Sequence, residues 1–309
     1  MAAYIARRLL LSVFVLWGTV SLVFVVMRIV PGDPAMMILG ADAQASELEA
    51  LRIQMGLDQP LIAQYGNYLW GALRLDFGDS IRLGGDAMQQ VLGRMPVTLA
   101  LAAAALLVAV VVGVSMGIIA ALNFDTRIDR VVTTLSLVTH SAPSFWVGLV
   151  LILIFARQLQ VLPSGGAGTF AHLLLPALAA GLPFSATLTR FTRSGLLEVI
   201  NEGYIQTARS KGLSERIVII AHAIRNSLIP IVTVVGLYAG GILGGTVVIE
   251  TVFSWPGMGR LIVDSIGFRD YAVVQAGIVL ITFVFVAINL IVDVLYGYLD
   301  PRVRLAGKS

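Results

Sequence analysis

Three histidines, no cysteine and 18 carboxylates are the whole stock from which this chain of 309 residues could build a metal centre or a catalytic pair. His140 falls inside an apolar run, His172 at the start of another and His222 in a polar segment between two more. The three lie in different layers and cannot share a metal, so each reads as a structural or surface histidine. The absence of cysteine excludes disulfides, zinc-thiolate sites and cysteine nucleophiles. A terminal "AGKS" imitates the end of a phosphate-binding loop. That pattern needs glycine at 302, where Arg302 stands, so ATP is not bound through such a motif. Two carboxylates on apolar runs remain, Asp293 near one end of the last and Glu250 at one end of the fifth. An ionisable group in a span is a candidate proton or ion relay; the competing reading of each is a structural carboxylate within reach of water or a neighbouring donor. No catalytic constellation emerges, and the chain is expected to be non-catalytic.

The elements that would carry these residues are greasy. Hydrophobic residues make up 58% and charged residues 13%, with a mean hydropathy of +0.90. Soluble domains average about 25% charged residues, so the reading is an all-α polytopic membrane protein. Apolar runs cover 9–27, 97–121, 131–156, 173–190, 228–252 and 272–298, each near the roughly 20 residues that cross a bilayer. The spacing predicts six transmembrane helices; the fourth is the shortest and is expected to be interrupted at Pro176 and Pro183, a break tolerated where neighbouring helices or a cavity satisfy the freed backbone groups. A cleavable signal peptide is the alternative for the first run, with "ADAQA" at 41–45 as a cleavage-like site. The run is longer than a signal core and is followed by Arg28, Pro31 and Pro34, so a retained helix is expected. Basic residues cluster at Arg7 and Arg8, Arg127 and Arg130, six positions from Arg190 to Arg225, and Arg302, Arg304 and Lys308. The segment 31–95 instead carries eight acidic residues against four arginines. The positive-inside rule then puts both termini in the cytoplasm and 31–95 outside. The resulting division is an N-terminus and first helix (1–30), an external helical segment (31–95), a membrane core (96–298) with a cytoplasmic loop at 193–227, and a cytoplasmic tail (299–309).

In the external segment, "SELEALRIQMGL" predicts a helix with Ser46 as N-cap, Glu49 completing a capping box and Gly56 as the stop. A second helix follows from Asp58, with Leu61, Tyr65, Tyr68, Leu69, Ala72 and Leu73 on one stripe, suited to the bilayer surface or to other spans. In the fifth span, Gly236, Gly240 and Gly244 fall on one line and Gly241 and Gly245 on another. Such spacing lets helix backbones approach closely, within the chain or against a second subunit. Tyr238 to Thr246 is the expected wall of any transport path. The 193–227 loop holds "YIQTARSKGLSER", a polar helix with small Thr207 and Ala208, a turn at Gly212 and a second helix leading back to a span. A loop that merely obeyed the charge rule would need neither the turn nor the small residues, so a docking element is the sharper reading.

That stretch, continued as "YIQTARSKGLSERIVIIAHAIRNSLIP", resembles the cytoplasmic coupling loop of ABC importer permeases of the dipeptide/oligopeptide/nickel family. "RIVPGDPAMMILG" at 28–40, "GLDQPLIAQYGNYLWGALRLDFGDS" at 56–80, "LPSGG" at 162–166, "VIETVFSWPGMGRL" at 248–261 and "YLDPRVR" at 298–304 carry the resemblance nearly end to end. The external segment makes it similar to the first of the two permeases in such systems. The permease signature begins Glu-Ala-Ala, whereas this chain has Gln206, Thr207 and Ala208, so Ala208 and Gly212 carry over more securely than Gln206. The resemblance implies a type I importer permease fold, a second homologous permease, one fused or two separate ABC ATPase subunits and an extracytoplasmic substrate-binding protein. No nucleic acid is implied. ATP and Mg would bind the ATPase partners, with no cofactor on this chain. Tyr204, Gln206, Thr207, Ala208, Lys211, Gly212 and Arg216 would be the coupling residues, and the bacterial plasma (inner) membrane the location. Peptides are the expected cargo, with nickel or another small solute as the alternative within the family. An ion-driven transporter using Asp293, or a membrane scaffold with no path, are the alternatives outside it.

Overall fold

The computed structural model describes residues 2–29, 34–40, 43–54 and 56–299. The motifs at 30–33 and 300–304, and the tail with Arg302, Arg304 and Lys308, lie outside the described residues. In chain order the helices are α1 (Ala2–Ile29), α2 (Pro34–Leu39), α3 (Ala45–Gln54), α4 (Leu61–Arg74), α5 (Ala87–Leu122), α6 (Arg127–Ser141) and α7 (Ser144–Leu151), the last continuing as a π-helical stretch, Ile152–Gln158. Then come α8 (Phe170–Ile200), α9 (Gly203–Ser210), α10 (Glu215–Ile217), a second π-helical stretch (Val218–Ile224), α11 (Arg225–Val252), α12 (Met258–Gly267) and α13 (Tyr271–Leu299). Among the described residues no strand forms; a lone bridge joins Asp79 to Asp86.

Among the described residues five helices are long and apolar enough to cross a membrane, within α1, α5, α8, α11 and α13. The remaining expected span, the third at 131–156, is not one rod. α6 and α7 meet at a bend of 107°, because Pro143 follows Ala142 and pushes it out of helical geometry to φ −80, ψ 129. Conversely, Pro176 and Pro183 do not interrupt α8, which runs unbroken for 31 residues. Neighbouring helices tolerate such prolines by enclosing the freed backbone groups, and α8 is packed against α6, α7 and α11.

The chain divides into two compact units. One comprises residues 2–96 and 257–287. Its core joins Ala87, Met88 and Val91 of α5 to Met258 and Ile262 of α12 and Val273, Val274, Ala276 and Leu280 of α13. α4 packs on α1 as its aromatic stripe requires: Tyr65 Oη lies 2.6 Å from Ser21 Oγ, and Phe24 meets Tyr65 edge-on. Arg28 covers the Phe24 ring and donates twice to Gln64. Of the predicted stripe, Leu61 and Leu73 are exposed, and burial pushes the Tyr68 phenol up to about 12. The start of α3 differs from the expected box. Glu47, not Glu49, reaches back, accepting from the Gln44 N–H at 3.3 Å, which puts Gln44 at the cap and Ser46 inside the helix. Gly56 does end the helix, at φ +65, with Leu57 N–H closing onto Arg52 O.

The other unit comprises residues 97–256 and 288 onward. Here two of the recognised motifs meet. The Gly166 N–H donates to Phe253 O at 2.8 Å, and Gly165 lies so close to that carbonyl that no Cβ would fit. Glu250 is fully buried and accepts from Thr98 Oγ1 at 2.6 Å, while Trp255 Nε1 donates to Val97 O. This carboxylate therefore ties the end of α11 to α5, in keeping with the structural reading of the two open for it. Asp293, half-buried on α13, is not without a partner either.

Candidate functional site

Two places in the second unit could do work, and the first is α9. Its short helix buries Ile205 and Ala208 against Ala121, Leu196, Val218 and Ala223. Successive helical residues point 100° apart, so Thr207 and Ala208 do not share a face: Thr207 is exposed, while Ala208 is 8% exposed and belongs to the chain's own core. The small-residue face expected from the pair therefore divides, and Tyr204, Gln206, Thr207, Lys211 and Arg216 make up the outward surface. Gly212 takes φ +79 and closes α9 through its N–H to Arg209 O, a conformation costly for any residue with a Cβ. Across that turn Arg209 grips Glu215 with two hydrogen bonds, 3.1 and 2.6 Å, which hold the Glu215 carboxyl below its usual range. Asn226 Nδ2 donates to the Tyr204 hydroxyl at 2.9 Å, orienting the ring from the helix that returns to the span.

A pair absent from the sequence reading locks α6 to α8. Asp129, 4% exposed at the start of α6, receives Arg193 of α8 through Nε at 2.6 Å and Nη2 at 2.8 Å. The Asp125 N–H and Thr133 hydroxyl supply two further donors. Residues 64 apart in sequence make this contact, so no local pattern could announce it.

The second place is an open cavity of about 450 Å³. α11 lines it with Tyr238, Gly241, Ile242 and Gly245, α8 with Ala180, Pro183 and Phe184, and the bend between α6 and α7 with His140 and Ser144. Phe184 and Tyr238 stack with centroids 3.6 Å apart and planes 17° from parallel. Thr187 Oγ1 lies 3.3 Å from His140 Nδ1. The first glycine line of α11 divides, and its last member, Gly244, joins the second line. Gly236 and Gly240 leave room for Val292 and Asn289 of α13, atoms of which stand 2.6 and 2.5 Å from where a Cβ would be. Gly241, Gly244 and Gly245 face open space. Thr246 lines nothing: it is fully buried and its hydroxyl turns back to Leu243 O. His140, read from sequence as a structural or surface histidine, and Phe184, not singled out at all, are wall residues. The signal that could have found them is Pro143, which opens the wall where a bare hydropathy run shows nothing. The three histidines stay apart, and among the described residues no group of three or more His, Asp or Glu could hold a metal.

Comparison with known proteins bears on what this architecture is. Residues 113–305 match the family described as "Binding-protein-dependent transport system inner membrane component", and residues 1–102 match "Binding-prot-dependent transport system membrane comp, N-term". The glutathione transport system permease protein GsiC of Escherichia coli (strain K12) is 42% identical over 98% of this chain and 99% of its own length. Its namesake in Salmonella choleraesuis (strain SC-B67) is 41% identical over the same shares. Among solved structures, an inward-facing form of the MetNI methionine ABC transporter has a similar fold, with a TM-score of 0.58 at 16% identity, covering 69% of this chain and 97% of that one. An amino acid ABC transporter with histidines gives a TM-score of 0.52 at 17% identity, covering 69% and 94%. The chain belongs to the binding-protein-dependent transport system inner membrane component family and is a multi-span ABC importer permease subunit.

Proposed function

We propose that this permease forms half of the translocation path of an ATP-driven importer of small peptides in a bacterial plasma membrane, both termini cytoplasmic. A second homologous permease completes the path, and a substrate-binding protein delivers cargo from outside. ATP and Mg act on ABC ATPase subunits, one fused or two separate, while this chain is non-catalytic and binds no cofactor. The observation that carries the peptide reading is the 42% identity, over nearly the whole of both chains, to permeases named for glutathione, a tripeptide. The cavity agrees with it: small and aromatic side chains with few polar groups suit a path that must pass varied side chains.

The outward face of α9, with Tyr204, Gln206, Thr207, Lys211 and Arg216, sits in a groove of the ATPase, and Ala208 and Gly212 shape that face from behind. Closure of the ATPase dimer on ATP moves α9, and the rigid helices attached to it alternate access to the path. The buried partners of Glu250 give it a structural part in this reading, and no step calls on Asp293 as an ion relay. The test is uptake into proteoliposomes holding the permease pair, its ATPases and its binding protein. ATP-dependent accumulation of di- or tripeptides, glutathione included, is the expected result. Accumulation of nickel without any peptide would replace the cargo, and accumulation driven by an ion gradient without ATP would contradict the mechanism.

A further inference from the structure

We infer that His140 contacts a carboxylate of the passing substrate and so contributes to what the path accepts, an inference that rests on the peptide reading above. The cavity wall is nearly free of groups that could answer a charge. Among the described lining residues Ala180, Pro183, Phe184, Gly241, Ile242 and Gly245 offer no side-chain donor, Ser144 and Tyr238 offer hydroxyls, and His140 offers an imidazole. A carboxylate entering such a wall without a donor loses its hydration for nothing in return.

The imidazole is placed rather than loose. Thr187, itself buried on α8, holds its hydroxyl 3.3 Å from Nδ1. In the tautomer whose Nδ1 accepts the Thr187 hydroxyl proton, Nε2 carries the ring's N–H and is the donor left for a substrate. The site stands where α6 ends and the chain turns through 107° into α7, next to Ser144 and across from the Phe184–Tyr238 stack. Within this wall the imidazole meets the group that every unmodified linear peptide carries, its terminal carboxylate. Hydrogen bonds to charged groups are among the stronger neutral-donor contacts, so removing this one is expected to weaken handling of the free acid about tenfold.

The experiment compares uptake of trialanine and trialanine amide by the reconstituted complex with one binding protein throughout, so that the binding protein's own preference cancels between variants. The variants are His140→Ala and His140→Phe, which lack the donor, and His140→Gln, which keeps one. The expected result is a fall of about tenfold in the acid-to-amide uptake ratio for Ala and Phe, through loss of acid uptake with the amide retained, and a ratio near wild type for Gln. Either donor-less variant that co-purifies with the ATPase decides the matter. A ratio unchanged from wild type, or both peptides lost in equal proportion, overturns the role of His140 while leaving peptide import standing. Import of neither peptide by the wild type overturns the peptide reading and this inference together.

Discussion

Replacing Arg193 with alanine is expected to lower the stability of the assembled permease by about 3 kcal/mol, because removing one member of a buried ion pair leaves the other charge uncompensated. Asp129 is 4% exposed, and its two shortest contacts are the guanidinium hydrogen bonds at 2.6 and 2.8 Å. The Asp125 N–H and the Thr133 hydroxyl remain in the variant, which keeps the cost from rising further. Thermal unfolding of the detergent-purified complex measures it. The double replacement Asp129→Leu with Arg193→Leu is expected to recover most of the loss, since a buried pair exchanged for apolar side chains is often neutral. If the double variant unfolds as readily as the single one, the pair does more than join α6 to α8.

Gly117→Leu is expected to cost about as much, roughly 3 kcal/mol, at the upper end of overpacking penalties. A Cβ at this position would overlap the Thr192 side chain and stand 2.7 Å from the backbone oxygen of Thr189. That carbonyl moves only if α8 moves. One turn earlier, Gly113 is equally tight, with Ser185 O at 2.7 Å and Leu188 Cβ at 2.6 Å from the same construction. Gly241 supplies the contrast: nothing lies within 4 Å of its Cβ position, and it lines the cavity. Gly241→Leu should therefore fold like wild type and lose transport, whereas Gly117→Leu should lose thermal stability and assembled yield. Equal unfolding temperatures for Gly117→Leu and wild type would show that α5 and α8 do not pack as closely as the structure has them.

These residues show what the sequence could and could not disclose. Long apolar runs announce spans because lipid offers backbone N–H and C=O groups no water and a helix pairs them internally, and five of the six expected runs are single helices among the described residues. The bend at Pro143 escaped because hydropathy is blind to the steric restriction a proline puts on the residue before it, while Pro176 and Pro183 suggested a break that α8, packed against α6, α7 and α11, does not show. Glycines one turn apart were legible in α11, yet the same spacing at Gly113 and Gly117 marks the tighter helix contact. Spacing says that a backbone can be approached and not which face is. The turn at Gly212 was legible from its residue type, since positive φ favours glycine. The inward direction of Ala208 was not, because a short polar helix carries too few apolar residues to declare its buried side. Asp129 with Arg193, and His140 with Phe184 and Tyr238, are pairings across distant segments, visible only once the helices are in place.

The proposal's centre is that the outward face of α9 rests against an ATPase, and the chain's lack of cysteine makes this directly measurable. Single cysteines at Tyr204, Thr207 and Ala208 would be cross-linked in membranes containing the complete transporter. The account predicts cross-links to the ATPase from Tyr204→Cys and Thr207→Cys that change in yield when ATP is added, and none from Ala208→Cys, whose side chain is turned into the chain's own core. Cross-links absent at Tyr204 and Thr207 in an assembled complex, or strongest at Ala208, would contradict it.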